Sequence, residues 1–114
     1  MTKYLISFHS SGMDNLTERD FIAAGTESRE VVREAKAAGV WVFGGGMEEN
    51  VDSVLVAQDG TVTPGTYPAH SDLRGGFTVL EVPTREEALE WAHKIAVSCR
   101  CPQEVREFMY DPES

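Results

Sequence analysis

Basic residues are scarce in this chain. Lys and Arg number 10 against 19 Asp and Glu in 114 residues, a formal charge of −9. No Lys/Arg cluster occurs, so the phosphate contacts of nucleic-acid binding are missing, and an anionic membrane surface is disfavoured on the same ground. A small anion is a separate matter, because one local Arg outweighs a distant acidic field. Long apolar runs are also lacking, and nothing approaches the roughly 20 residues of a spanning helix. The N-terminus shows no basic segment followed by an apolar one, so no signal peptide is expected. Cysteine occurs only at Cys99 and Cys101, with one residue between them. That spacing suits neither a disulfide nor joint metal ligation, and two ordinary thiols in a cytoplasmic protein are expected.

What is present is pattern. The stretch 75–92, GGFTVLEVPTREEALEWA, carries a glycine pair, an alternating strand, a stopping proline and an amphipathic helix. Thr84-Arg85-Glu86-Glu87 is a capping box. The helix after it is expected to bury Ala88, Leu89, Ala92, Ile95 and Ala96, with Trp91 at the border. Near the start, Lys3–Phe8 reads as a strand with Tyr4, Ile6 and Phe8 on one face and Leu5 and Ser7 on the other. Residues 13–25 are ambiguous: Thr17 is a candidate cap for a short helical piece that Gly25 ends. A firmer helix is expected from Glu27 to Ala38, capped by Thr26 and closed by Gly39.

Val40–Phe43 is a short β-branched and aromatic strand, broken by Gly44-Gly45-Gly46. Val51–Ala57 is another, turned at Asp59-Gly60. Residues 63–74 read as an ordered loop. Val105–Tyr110 closes the chain. The expected order is β-α-β-β-β-α-β, with the second and third strands a candidate bent hairpin arm. The fold class is thus α+β: a ferredoxin-like antiparallel sheet with two helices on one face, in a single domain over 1–114. Helices on one face leave the other bare, and several strands are apolar on both faces. Pairing two such sheets about a two-fold axis would hide that patch, so a homodimer is expected.

The chain resembles the YCII-related domains, in particular their DGPF-type branch. The family pattern has a D-G turn, then V-T-D-G-P-F-A-E-T-K-E, a short gap, G-G-F, a strand and E-A-x-E-W-A. Here stand Asp59-Gly60, Val62-Thr63, Gly65, Gly75-Gly76-Phe77 and Glu87-Ala88-Leu89-Glu90-Trp91-Ala92. Lys3-Tyr4-Leu5 is similar to the family's first strand. The chain departs from the pattern at Pro64-Gly65-Thr66-Tyr67, where the family has D-G-P-F, and at Ala69 and Ser71, where it has Glu and Lys. The first helix has no histidine, so the His/Asp pair of the YCII-type branch does not transfer. The resemblance implies a dimeric α/β barrel with a small organic ligand between helices and sheet.

The loop Pro64–Arg74 concentrates the candidate site. His70 and Asp72 are a candidate acid/base pair, the carboxylate fixing the imidazole tautomer. The alternatives are a solvated or dimer-contact histidine, and an Asp72–Arg74 ion pair worth ~0–1 kcal/mol. Tyr67 and Arg74 are candidate ligand-binding residues, as is His9, which leaves the first strand near the expected mouth of a helix–sheet pocket. Ser7 and Ser10 lack a G-x-S-x-G setting. Gly44-Gly45-Gly46 lacks phosphate-loop spacing and reads as a flexible turn. His93 is expected on the outer helix face. No two of His9, His70 and His93 have metal-ligand spacing, and neither metal nor other cofactor is expected. The expectation is a small-molecule protein, with cofactor-free isomerase or lyase chemistry set against a non-catalytic binding or regulatory dimerisation module.

Overall fold

The computed structural model of the protein describes residues 1–67 and 74–114. The elements are β1 (Thr2–His9), α1 (Glu18–Ala37), β2 (Trp41–Gly46), β3 (Val54–Val56), β4 (Val62–Pro64), β5 (Gly75–Val82), α2 (Arg85–Cys99) and β6 (Glu104–Glu107). A four-stranded sheet has the order β2-β5-β1-β6, every neighbouring pair antiparallel. The β1-α1-β2 connection steps over β5, and β5-α2-β6 steps over β1. This interleaving is the ferredoxin-like arrangement expected from the sequence. The strands β3 and β4 form a separate hairpin. Its turn is the Asp59-Gly60 dipeptide, with Gly60 at φ 89° and the Asp59 carboxylate accepting from the Thr61 N–H at 2.9 Å.

One layer of core lies between the sheet and both helices. Ile6, Leu80, Ala35 and Ala92 form one buried cluster, and Tyr4, Val82 and Ala88 the next. Ala35 comes from α1 and Ala88 and Ala92 from α2, so small residues on the helices let them sit close over the larger strand residues. On α2 the inward line runs through Ala88, Ala92, Ile95 and Cys99. Leu89, expected in that stripe, lies off it and is 44% exposed. His93 is exposed, as expected.

Several boundaries differ from those expected. The strand β3 is only Val54–Val56 and pairs with β4 and not with β2, so the second and third expected strands are not one hairpin arm. The strand β4 takes in Thr63 and Pro64, expected in the loop, and β6 ends at Glu107 and not Tyr110. Two further differences bear on the cleft. The helix α1 is continuous from Glu18, capped by Thr17, whose hydroxyl accepts from the Asp20 N–H at 3.1 Å. Gly25 does not end it, because a single helical glycine costs only about 1 kcal/mol and tertiary packing outweighs that. Thr26 is therefore no cap; its hydroxyl donates to the Ile22 carbonyl one turn back. The second difference is β2, which runs through Gly44-Gly45-Gly46 instead of breaking there. Those residues pair with Thr78, Phe77 and Gly76 of β5. The reading of a flexible turn is corrected: ladder bonds to β5 hold the glycines extended.

Thr84 caps α2 as expected, its hydroxyl accepting from the Glu87 N–H at 3.2 Å. Gly39 follows α1 at φ 74°. Gly75 is held at φ 115°, and a Cβ there would overlap the Phe8 carbonyl oxygen, so only glycine fits this crossing.

Among the described residues, no helix covers the face of the sheet away from α1 and α2. Phe43, Val79 and Leu5 lie in one cross-strand row, with Phe77 in the next. The Phe43 and Phe77 ring centroids are 6.0 Å apart, and Phe43 is 61% exposed. The molecule is a slab of 43 × 42 × 21 Å. Its accessible surface is 8329 Å², whereas a compact monomer of this mass exposes about 6,200 Å². No helix among the described residues is long and apolar enough to cross a membrane.

Candidate functional site

The layer between helices and sheet does not fill completely. A cleft of about 490 Å³ opens between α1 and the β2/β5 half of the sheet, within the range of small-molecule sites. Its origin is a missing row of side chains. Phe8 pairs with Gly76, and Gly76 pairs with Gly46. One row nearer the core, Ile6 pairs with Thr78, and Thr78 with Gly44. Positions 44, 46 and 76 share the helix-facing alternation, and each is glycine. The floor of the cleft is therefore glycine backbone, with the Trp41 indole lying over Gly44 and the Phe8 ring over Gly76.

Two of these glycines are sterically fixed. A Cβ on Gly44 would stand 2.8 Å from the Phe77 carbonyl oxygen and 2.9 Å from Cη2 of Trp41. A Cβ on Gly76 would stand 2.9 Å from the Gly45 carbonyl oxygen. The walls are aromatic and aliphatic: Phe8 and Trp41 from the sheet, Val31 and Val32 from α1, Trp91 and Ile95 from α2. Polar groups at the cleft are Ser28, Arg29 and Lys36 of α1, Thr78 of β5 and Gln103 before β6. Lys36 Nζ lies 5.7 Å from the centroid of the Trp41 ring.

Cys99 lines the same cleft from the end of α2. Burial pushes its thiol above the ordinary range, and this outweighs the opposing pull of the Ser98 hydroxyl and the Arg100 charge. It is a protonated, inert wall residue at neutral pH. Cys101 is likewise free and buried, its thiol raised first by burial and then by the neighbouring Cys99. Among the described residues no group of His, Cys, Asp and Glu is arranged to hold a metal ion.

Of the residues singled out in the sequence, the described ones, His9, Tyr67 and Arg74, are not among those that line this cleft. His9 ends β1, is exposed, and accepts through Nδ1 from the Ser11 N–H at 3.1 Å. Its strand position alternates with Phe8, on the parity of Ser7 and Leu5, and it is not among the residues lining the cleft. Tyr67 is exposed on the loop after β4, and Arg74 is exposed where that loop joins β5. The Arg74 carbonyl accepts from the Ser10 N–H at 3.0 Å, tying the two strand ends together. His70 and Asp72 lie outside the described residues. The reading missed the glycine floor and Arg29. A signal was present in Gly44-Gly45-Gly46 beside Trp41, with Gly75-Gly76 elsewhere: glycine in paired strands leaves room where a ligand can approach backbone. The chain matches no protein-family model and no curated protein.

Proposed function

We propose that this chain is a YCII-related protein of the dimeric α/β-barrel type, and that it binds a small organic molecule in the cleft between α1 and the sheet. The glycine-floored cleft carries this reading. A hollow of about 490 Å³ with aromatic and aliphatic walls and a few polar groups has the size and character of small-molecule sites. The ferredoxin-like strand order and the Asp59-Gly60, Gly75-Gly76-Phe77 and Glu87–Ala92 motifs support the family assignment. The apolar row on the bare sheet face supports the dimer, as does accessible surface about a third larger than a monomer of this mass needs. Two free buried thiols suit a reducing cytoplasm.

Binding without turnover fits the described lining best. No His, Asp or Glu stands among those residues, and the one thiol there is held protonated. Proton-transfer chemistry by His70 and Asp72 is the second reading. One observation favours it: the cleft's glycine end, at Gly76, lies next to Gly75, where their loop rejoins the sheet.

A screen of small aryl and alkyl compounds tests the proposal by thermal shift, run in parallel on the wild type and on Ser28→Trp, which fills the cleft from α1. Hits that stabilise the wild type and not the variant support it. Hits that stabilise both equally place the ligand elsewhere and overturn it. Loss of turnover in His70→Ala with retained binding would establish the second reading.

A further inference from the structure

The charge on the cleft wall is one-sided. Acidic residues outnumber basic ones by nearly two to one in the chain, yet among the described residues the charged side chains lining the cleft are Arg29 and Lys36. Both belong to α1, seven residues and therefore about two turns apart. Lys36 sits at the Trp41 end, drawn over the indole ring. Arg29 sits one turn after Gly25, which also lines the cleft.

The two cations differ in how they are engaged. Elsewhere on the helices, Lys94 is paired with Glu34 and Arg100 with Glu27. Arg29 has no carboxylate partner among the described residues. One of its N–H groups donates to the Gly25 carbonyl at 3.2 Å, a bond that sets the guanidinium back along its own helix. The Ser28 hydroxyl donates to the same carbonyl at 3.1 Å. The remaining guanidinium donors form a fork at the rim of an apolar hollow, the arrangement that takes a carboxylate in two parallel bonds. With the whole chain at −9, long-range attraction does not bring an anion here; selection has to be local.

We infer that the ligand of this cleft is a small amphipathic organic anion, with its carboxylate on Arg29 and its apolar body over the glycine floor among Phe8, Trp41 and Trp91. The inference rests on the binding role proposed above and adds the charge of the ligand and the residue that reads it. It predicts discrimination between acids and their uncharged isosteres of the same shape.

Matched pairs test this directly: 3-phenylpropionate, indole-3-acetate and hexanoate, each against its primary amide, titrated calorimetrically into the wild type, Arg29→Gln and Arg29→Lys. The acids should bind about tenfold to hundredfold tighter than the amides, the range of hydrogen bonds to a charged group. Arg29→Gln should remove that preference and leave amide affinity unchanged, with the far-ultraviolet spectrum retained. Arg29→Lys should keep part of it. If amides and acids bind equally to the wild type, or if Arg29→Gln keeps the preference, the anion inference fails and the cleft remains a binding site. If neither acid nor amide binds, the cleft's binding role falls, and the inference with it.

Discussion

The indole of Trp41 covers Gly44: a Cβ added at position 44 would stand 2.9 Å from Cη2. The ring occupies the space that a residue at 44 would otherwise claim, and the two together set the depth of the cleft. Gly45, one residue on, would place its Cβ with nothing within 4 Å. The same substitution at adjacent positions should therefore diverge. Gly44→Ala should lose about 1–3 kcal/mol from overpacking against the Phe77 carbonyl and Trp41. Gly45→Ala should be neutral or slightly stabilising, since alanine narrows the unfolded ensemble. Urea denaturation midpoints of the pair check this, and equal losses would mean the strand is not placed as described.

Helix starts give a second contrast. Thr17→Ala and Thr84→Ala should each lose about 1 kcal/mol, because each hydroxyl accepts an N–H that the helix leaves open. Thr26→Ala should lose less, its hydroxyl lying in mid-helix against a carbonyl already bonded within the helix. The reverse ranking of Thr17 and Thr26 would restore the shorter helix.

Assembly is expected to depend on Phe43. Sedimentation at micromolar concentration should give twice the chain mass. Phe43→Asp should give a folded monomer, because a charge in that apolar row would lie buried between two sheets. A wild-type monomer would remove the argument from the bare face.

The thiols carry a pH dependence of fixed sign. Cys99 and Cys101 both have pKa values raised above 9.0 by burial, so the folded state holds their protons longer than the unfolded chain does. Their contribution to stability is fully present below pH 9.0 and is lost as pH climbs through the folded-state values. Cys99→Ser should flatten the alkaline decline measured by urea denaturation between neutral pH and pH 10. Iodoacetamide should label the native thiols slowly and both rapidly in denaturant.

The sequence carried the fold further than it carried the site. The strands β1 and β5 were legible because Tyr4, Ile6, Leu80 and Val82 alternate, and α2 because Thr84 caps a run of inward alanines. The glycine strand was not, since periodicity is written in side chains and Gly44-Gly45-Gly46 has none to write it with. The start of α1 was hidden by Gly25 and by the polar run around it, where propensity points one way and the packing of Ala24 and Ala35 the other. The cleft escaped for the same reason as the strand: its floor is an absence. Arg29 stands 47 residues before Gly76 in sequence, and only the crossover of α1 above the sheet brings them to one cavity.

The central claim is that the cleft holds the ligand, and the chain supplies its own reporters. It has two tryptophans, Trp41 and Trp91, and both line the cleft. Following the two indole N–H signals by heteronuclear NMR during titration with indole-3-acetate is the most direct measurement. Both signals should move together and saturate in the wild type, and neither should move in Ser28→Trp at the same concentrations. Saturable binding that leaves both indole signals in place while shifting backbone signals around His9 and Tyr67 would contradict the account.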